Sequence, residues 1–213
     1  MSTSRPLPFL LSALLLVVLT TGCATAQTDA PFTQVDDATL ISALRQGGHV
    51  IYLRHAQTEK DYADQVTADP NDGSTQRVLS EFGWHQAKGI GEAFRTLEIP
   101  VGEVISSQYF RAWQTADLAF NRYEKNAALN FEPAEEYTEE QFAAMRNRVM
   151  PLVTAVPAEG VNTVIVGHDD PFEAVTGIYP EPQGVGYVLR PDGQGGFTIL
   201  ARMASDEWMR LGE

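Results

Sequence analysis

The sequence predicts an α/β fold, a three-layer α/β/α sandwich around a mainly parallel sheet, and three observations carry that expectation. Short apolar runs rich in β-branched residues, at 50–53, 104–105 and 161–166, alternate with segments whose apolar residues recur at helical spacing. A chain of 213 residues with 44% hydrophobic content can bury one sizeable core but not two comfortable ones. No fixed-period repeat or low-complexity tract interrupts the alternation.

The first segment reads as a leader rather than as part of the fold. Arg5 supplies a positive start, residues 7–19 form an almost unbroken apolar run, and small residues follow from Thr20 to Ala26. The run is short for a membrane-spanning helix and has the layout of a secretory signal peptide, placed at residues 1–26. Two processing routes are open. Gly22-Cys23 resembles a bacterial lipoprotein box, which would make Cys23 the lipid attachment site, whereas Ala24-Thr25-Ala26 would serve simple secretion. Residues 27–35 read as a linker and 36–213 as the folded domain. Localisation is therefore expected to be exported, either periplasmic or anchored to the envelope.

Each later element has a local reason. Asp36 precedes Leu40, Ile41 and Leu44, and Gly47-Gly48 closes that segment, the pattern of a short capped helix. Residues 50–53 read as a buried strand, followed by a long polar stretch, 56–79, of the length that usually carries function. Ser80 can cap a helix bearing Ala87, Ile90, Phe94 and Leu97. A short strand at 104–105 leads into a helix over 108–123. Thr138 and Gln141 form a capping box, Tyr137 and Phe142 a hydrophobic staple, and Phe142, Met145, Val149 and Leu152 the buried face. A strand at 161–166 follows, and 185–189 with 197–201 flank Pro191-Asp192-Gly193 as an antiparallel hairpin.

The formal net charge of −13 repels nucleic acid and anionic membrane surfaces, so neither is an expected partner beyond a lipid anchor on the leader. A chain this acidic that handles an anionic substrate must gather its few cations at one place. Cys23 is the only cysteine, so a domain freed of its leader has no disulfide and no thiol chemistry.

In parallel sheets ligands collect just beyond the carboxyl ends of the strands. Arg54-His55 follow the first strand, Arg111 lies one turn past the second, and His168 ends the last parallel strand. Other groups have plainer readings. His49 and His85 are expected to be structural or exposed, and Trp113 to be core packing. Residues 69–73 lack the register of a calcium loop.

Four segments together resemble a known family. Leu53-Arg54-His55-Ala56-Gln57-Thr58 is similar to the L-R-H-[GA]-x-T signature of the histidine phosphatase (phosphoglycerate mutase-like) superfamily. Leu79-Ser80 through Gly83, Gln86 and Ala87 resembles its L-[ST]-x-x-G-x-x-Q-A helix. Ser106-Ser107 through Arg111, Thr115 and Ala116 resembles its S-S-x-x-x-R-A-x-x-T-A element, and Gly167-His168 its second histidine. The four occur in family order across residues 50–168.

The resemblance implies a phosphoglycerate mutase-like fold and a phosphomonoester hydrolase without metal or cofactor. His55 would be the nucleophile that forms a phosphohistidine, with Arg54, Thr58, Arg111 and His168 binding the substrate phosphate. That assignment suits the chemistry, because phosphoryl transfer is catalysed mainly by positioning and by stabilising charge on the equatorial oxygens. Planar, permanently charged guanidinium groups fit those oxygens. For the proton donor to the leaving group, family analogy points to Glu136 or Glu135. The Asp169 that follows His168 resembles instead the donor of the acid phosphatase and phytase branch. Glu136 is slightly preferred, since the R-H-G-x-R-x-P hallmark of that branch is absent.

Two further functions share these residues. A mutase of the same fold is disfavoured by export, and a non-catalytic phosphate- or phosphosugar-binding lipoprotein is disfavoured by the full Arg-His-Arg-His set. The substrate is expected to be a small phosphorylated molecule whose identity, like the oligomeric state, the sequence does not specify.

Overall fold

The computed structural model describes residues 32–60, 64–65, 68–133 and 136–213. The signal peptide and Cys23 lie outside the described residues, as does Glu135. The elements in order are α1 (Asp37–Gln46), β1 (Val50–Arg54), α2 (Glu81–Thr96), β2 (Val101–Ser106), α3 (Phe110–Phe120), β3 (Glu124–Lys125), α4 (Glu139–Val153), β4 (Asn162–Gly167), α5 (Asp169–Thr176), β5 (Gly186–Pro191), β6 (Phe197–Met203) and α6 (Ser205–Gly212). The six strands form one sheet in the order β3-β2-β4-β1-β5-β6. The four from β3 to β1 run parallel, and β5 and β6 add an antiparallel hairpin beside β1.

The alternation of side chains along a strand creates the three layers. In β1, Ile51 and Leu53 join one apolar cluster with α1, α2, α3 and α6, whereas Val50 and Tyr52 join another with α4 and α5. Val164 and Val166 of β4 face the first cluster, and Ile165 faces the second. Because both faces are covered, β1 and β4 are buried along their whole length.

Local signals set the helix ends. The Asp36 carboxylate accepts from the Thr39 amide at 3.0 Å, the Ser80 hydroxyl accepts from the Gly83 amide at 3.0 Å, and Thr138 with Gln141 closes a capping box. The Tyr137 and Phe142 rings meet at 5.7 Å. The structure differs from the expectation in detail. The third helix stops at Phe120, where Asn121 takes a left-handed conformation, and on α4 Val153 rather than Leu152 is fully buried. Residues 32–35, within the stretch expected as linker, run beside the edge of β6: the Thr33 amide donates to the Ile199 carbonyl at 2.8 Å and the Val35 amide to that of Leu200 at 3.0 Å. That pairing satisfies part of a sheet edge otherwise left open.

One close approach ties a helix to the site. The start of α2 lies against the backbone after His55, and a Cβ at Gly83 would stand 2.0 Å from the Gln57 carbonyl oxygen. Gly83→Ala is therefore expected to cost about 3 kcal/mol, because backbone rather than a flexible side chain would have to give way. Chemical denaturation measures the loss, and a cost below about 0.5 kcal/mol would contradict the tight packing.

Candidate active site

Two parallel strands deliver the two histidines. Arg54 of β1 is in register with Gly167 of β4, and the His55 amide donates to the Gly167 carbonyl at 3.0 Å. His55 and His168 thus leave the sheet side by side, their ring centroids 5.4 Å apart and both buried. Arg111, on the first turn of α3, donates from Nε to His55 Nε2 at 3.1 Å. Arg54 completes the group from the end of β1.

The bonds around each ring fix its tautomer. His55 Nδ1 lies 2.8 Å from the Ala56 carbonyl oxygen, so the proton sits on Nδ1 and Nε2 presents its lone pair. His168 Nε2 lies 2.8 Å from Ser107 Oγ, whose hydroxyl donates to Asn130 Oδ1 at 2.9 Å. The Ser107 oxygen therefore accepts from the His168 Nε2 proton. The backbone of His168 is held by Tyr52, whose hydroxyl donates to its carbonyl at 2.9 Å and accepts from its amide at 3.1 Å. The Tyr109 and Phe131 rings wall the His168 ring at 5.3 and 4.9 Å and flank the Arg111 guanidinium at 5.3 and 5.2 Å.

Each guanidinium is partly engaged. Arg54 donates through one terminal nitrogen to the Pro180 carbonyl at 2.8 Å and through the other to Asp169 at 2.5 Å. Tyr179 also donates to that Asp169 oxygen, at 2.8 Å, and its ring lies under the Arg54 guanidinium. The terminal nitrogens of Arg111 hold both oxygens of Asp64, at 3.0 and 2.9 Å. Among the described residues, Arg54 Nε and His168 Nδ1 are buried nitrogens with no hydrogen-bond partner. Buried polar atoms are ordinarily satisfied; of the six such orphans among the described residues, these two are the ones beside the paired histidines, where an incoming anion could accept from them.

The backbone that follows His55 is pinned by side chains. The Ala56 amide donates to Thr115 Oγ1 at 3.0 Å, that of Gln57 to Gln86 Oε1 at 2.9 Å, and that of Thr58 to Gln183 Oε1 at 3.0 Å. Thr58 itself is buried and bridges to Leu79.

The acid candidates fall differently. Asp169 starts α5 and is bound by Arg54 and Tyr179. Glu136 is exposed and makes no hydrogen bond or ion pair among the described residues. Its neighbour Tyr137 donates to Asp170 at 2.9 Å, tying that loop to α5. Burial, then the charge of Asp169, pushes the Asp170 carboxyl up to about 6. Trp113, expected in the core, is instead half-buried, stacked on Tyr123 under the Lys125 ammonium.

Several contributors escaped the sequence reading. Asp64 was visible only as one of several acidic residues in a long loop. Tyr52 looked like an ordinary strand residue, and nothing local marked Phe131 or Asn130. Ser107 belonged to a recognised motif but had no role attached to it.

Burial pushes both His55 and His168 well below the usual histidine value, and the Arg111 charge pushes each further in the same direction. The folded state therefore keeps both rings neutral, while the unfolded chain takes up protons as pH falls through about 6.5. Stability contributed by these rings is present above that pH and lost below it, at up to about 1.4 kcal/mol per pH unit for each ring. Denaturation midpoints recorded between about pH 7.5 and 5.5 should fall more steeply for the wild type than for a His168→Asn variant. Parallel slopes would show that His168 is not held neutral.

Residues 50–130 match the model of the histidine phosphatase superfamily, branch 1. The chain resembles the protein histidine phosphatase SixA solved with tungstate, at 14% identity and a TM-score of 0.54, over 74% of this chain and 97% of that one. It also resembles a mycobacterial glucosyl-3-phosphoglycerate phosphatase solved with VO3, at 17% identity and a TM-score of 0.53, over 73% and 100%. A third likeness is to the protein TTHB049 from Thermus thermophilus, at 20% identity and a TM-score of 0.51, over 73% and 99%. At these identities the likeness is one of fold. No curated protein matches the sequence significantly.

Proposed function

We propose that the chain, whose residues 50–130 match the histidine phosphatase superfamily model, is a member of that superfamily and hydrolyses phosphomonoesters through a phosphohistidine on His55. The observation that carries this reading is the orientation of the buried His55 ring, with Nδ1 tied to the Ala56 carbonyl and Nε2 turned to the equally buried Arg111. As the phosphoryl group enters, Nε2 exchanges the Arg111 Nε–H for phosphorus: its lone pair attacks in line, the N–P bond forms, and the ester P–O bond breaks, the departing oxygen taking a proton from a carboxylic acid. The Nδ1–H bond to Ala56 supports the positive charge that develops on the ring. Arg111 and Arg54 face the equatorial oxygens, and the orphaned Arg54 Nε offers a donor to them. His168 binds a further oxygen through Nδ1 once the incoming anion draws a proton onto that nitrogen. Water then cleaves the N–P bond and regenerates neutral His55. The cations take the charge-stabilising role, so the reaction requires no metal.

The relatives solved with tungstate and VO3 lend support, since both are oxyanions placed in the same fold. Turnover of p-nitrophenyl phosphate by the purified domain tests the reading. His55→Ala should lower kcat by ~10^3-fold or more while leaving the fold intact. Binding of phosphate by the wild type without turnover across a broad panel of phosphomonoesters would instead favour a phosphate-binding module.

For the leaving-group proton we favour Glu136, whose carboxyl has no partner among the described residues, over Asp169, whose oxygen serves Arg54 and Tyr179. Glu136→Gln should slow an alkyl phosphate by ~10^2-fold and spare p-nitrophenyl phosphate, whose leaving group needs no acid. Asp169→Asn should act mainly on KM, by releasing Arg54. The reverse pattern would move the donor to Asp169.

We further propose that the protein is exported and held at the envelope by a lipid on Cys23, on the strength of the apolar run at 7–19 and the Gly22-Cys23 pair. Cys23→Ser should abolish incorporation of labelled fatty acid. Unchanged labelling would exclude that anchor.

A further inference from the structure

We propose that Asp64 is an internal competitor of the substrate: its carboxylate occupies the fork of Arg111 that the phosphoryl oxygens take, and substrate binds by displacing it. The inference rests on the phosphatase reading of the site and adds a specificity element to it. Arg111 spends Nε on His55, which leaves its two terminal nitrogens as the fork able to grip an anion. Asp64 fills that fork in the two-pronged geometry that guanidinium offers carboxylate and phosphate alike, at 3.0 and 2.9 Å. One Asp64 oxygen also accepts from the Arg77 amide at 2.7 Å, and Arg77 Nε lies 3.8 Å from the other.

The carboxylate is brought there by a loop that is fixed at its base. Thr58 and Leu79 bridge the two ends, the Glu59 amide donates to the Val78 carbonyl at 3.0 Å, and buried Gln76 docks the returning strand by accepting from the Phe110 amide at 2.9 Å. On the outgoing side, among the described residues, the Asp64 carboxylate and the Gln65 amide, 3.0 Å from the Thr75 carbonyl, bond to the returning side and to Arg111. Releasing Asp64 therefore leaves the base of the loop and its docking through Gln76 in place.

The physical benefit has two parts. A guanidinium buried as deeply as Arg111 would carry an uncompensated charge without an anion beside it, and Asp64 supplies that charge when no substrate is bound. A tethered carboxylate also competes at an effective concentration in the millimolar range. A singly charged anion that reaches only Arg111 gains little by replacing it. A phosphate dianion adds a second charge and reaches Arg54 Nε and His168 Nδ1 as well, so it prevails. Asp64 thereby selects dianionic phosphomonoesters over weaker anions.

Calorimetry with inorganic phosphate on the wild type and on Asp64→Asn tests the proposal, alongside kinetics on p-nitrophenyl phosphate and an alkyl phosphate. The variant should bind phosphate at least about tenfold more tightly, with KM lowered in step. Hydrogen exchange on the wild type gives a measurement independent of the variant's stability. The Arg77 amide should exchange faster when phosphate is added, opposite to the usual protection by a ligand. Unchanged or weaker phosphate binding by Asp64→Asn, or slower exchange at Arg77, overturns the competitor role. So does a loss of kcat confined to the alkyl phosphate, which would make Asp64 the proton donor. Tighter binding with no turnover by either protein would uphold the competitor and remove the hydrolase reading. Absence of phosphate binding by both would remove the two together.

Discussion

The pairing of β1 with β4 is the constraint from which the site follows. The two strands lie side by side in parallel, with Arg54 opposite Gly167, so the residues that leave their carboxyl ends are His55 and His168. A shift of one residue would turn every side chain of β1 to the other face and exchange its two apolar sets, Ile51 and Leu53 against Val50 and Tyr52. Both sets are packed under helices, so the register is fixed by burial on two sides at once. Tyr52 then converts the register into side-chain geometry. Its hydroxyl crosses from β1 to hold both backbone polar groups of His168.

Inside that frame the charges are arranged in opposition. Two imidazoles stay neutral because burial and the Arg111 guanidinium both disfavour a further positive charge. Each guanidinium in turn has its own carboxylate, Asp64 for Arg111 and Asp169 for Arg54. A protein with a net charge of −13 thus concentrates two cations in one pocket and compensates each from a different neighbouring segment. The neutral state of His55 is the one that the proposed attack on phosphorus requires. Among the described residues, two of the unpartnered buried nitrogens, Arg54 Nε and His168 Nδ1, lie at this site, where the proposed phosphate would give them a partner.

The layered architecture was legible in the sequence because it is written in periodicities. Residues 50–53 and 164–166 are continuous apolar runs, as strands covered on both faces require, and Ser80 and Thr138 mark helix starts through their side-chain oxygens. The convergence of Arg54, His55, Arg111 and His168 was legible as well, since each follows an element whose end is signalled locally. What the sequence withheld depends on contacts between distant segments. Asp64 is one carboxylate among several in residues 56–79, and only the path of the loop sets it on Arg111. Asn130 and Phe131 lie in an irregular stretch with no pattern to read, yet they fix the tautomer and the walls of His168. The boundary at 32–35 escaped for a similar reason: pairing with β6 depends on where an edge lies in space.

The recurrent polar residues around His55 divide by physical task rather than by closeness in sequence. After Arg54 the chain leaves the sheet, and the amides of Ala56, Gln57 and Thr58 enter a buried region where no strand can accept from them. Leaving any of them unpaired would cost about 1–3 kcal/mol and loosen the backbone that holds the His55 ring. Thr115, Gln86 and Gln183 remove that problem one amide at a time, from α3, from α2 and from the turn before β5. Thr115 also donates to the Arg111 carbonyl at 2.7 Å, so one hydroxyl couples the backbone beside His55 to the residue that faces its ring. Thr115 and Gln86 therefore belong with His55 and Arg111 even though neither needs to touch the substrate. Two positions of the motifs that carry the family resemblance, Thr115 and Gln86, are thus acceptors for buried N–H groups after His55, and Gln183, outside those motifs, supplies the third.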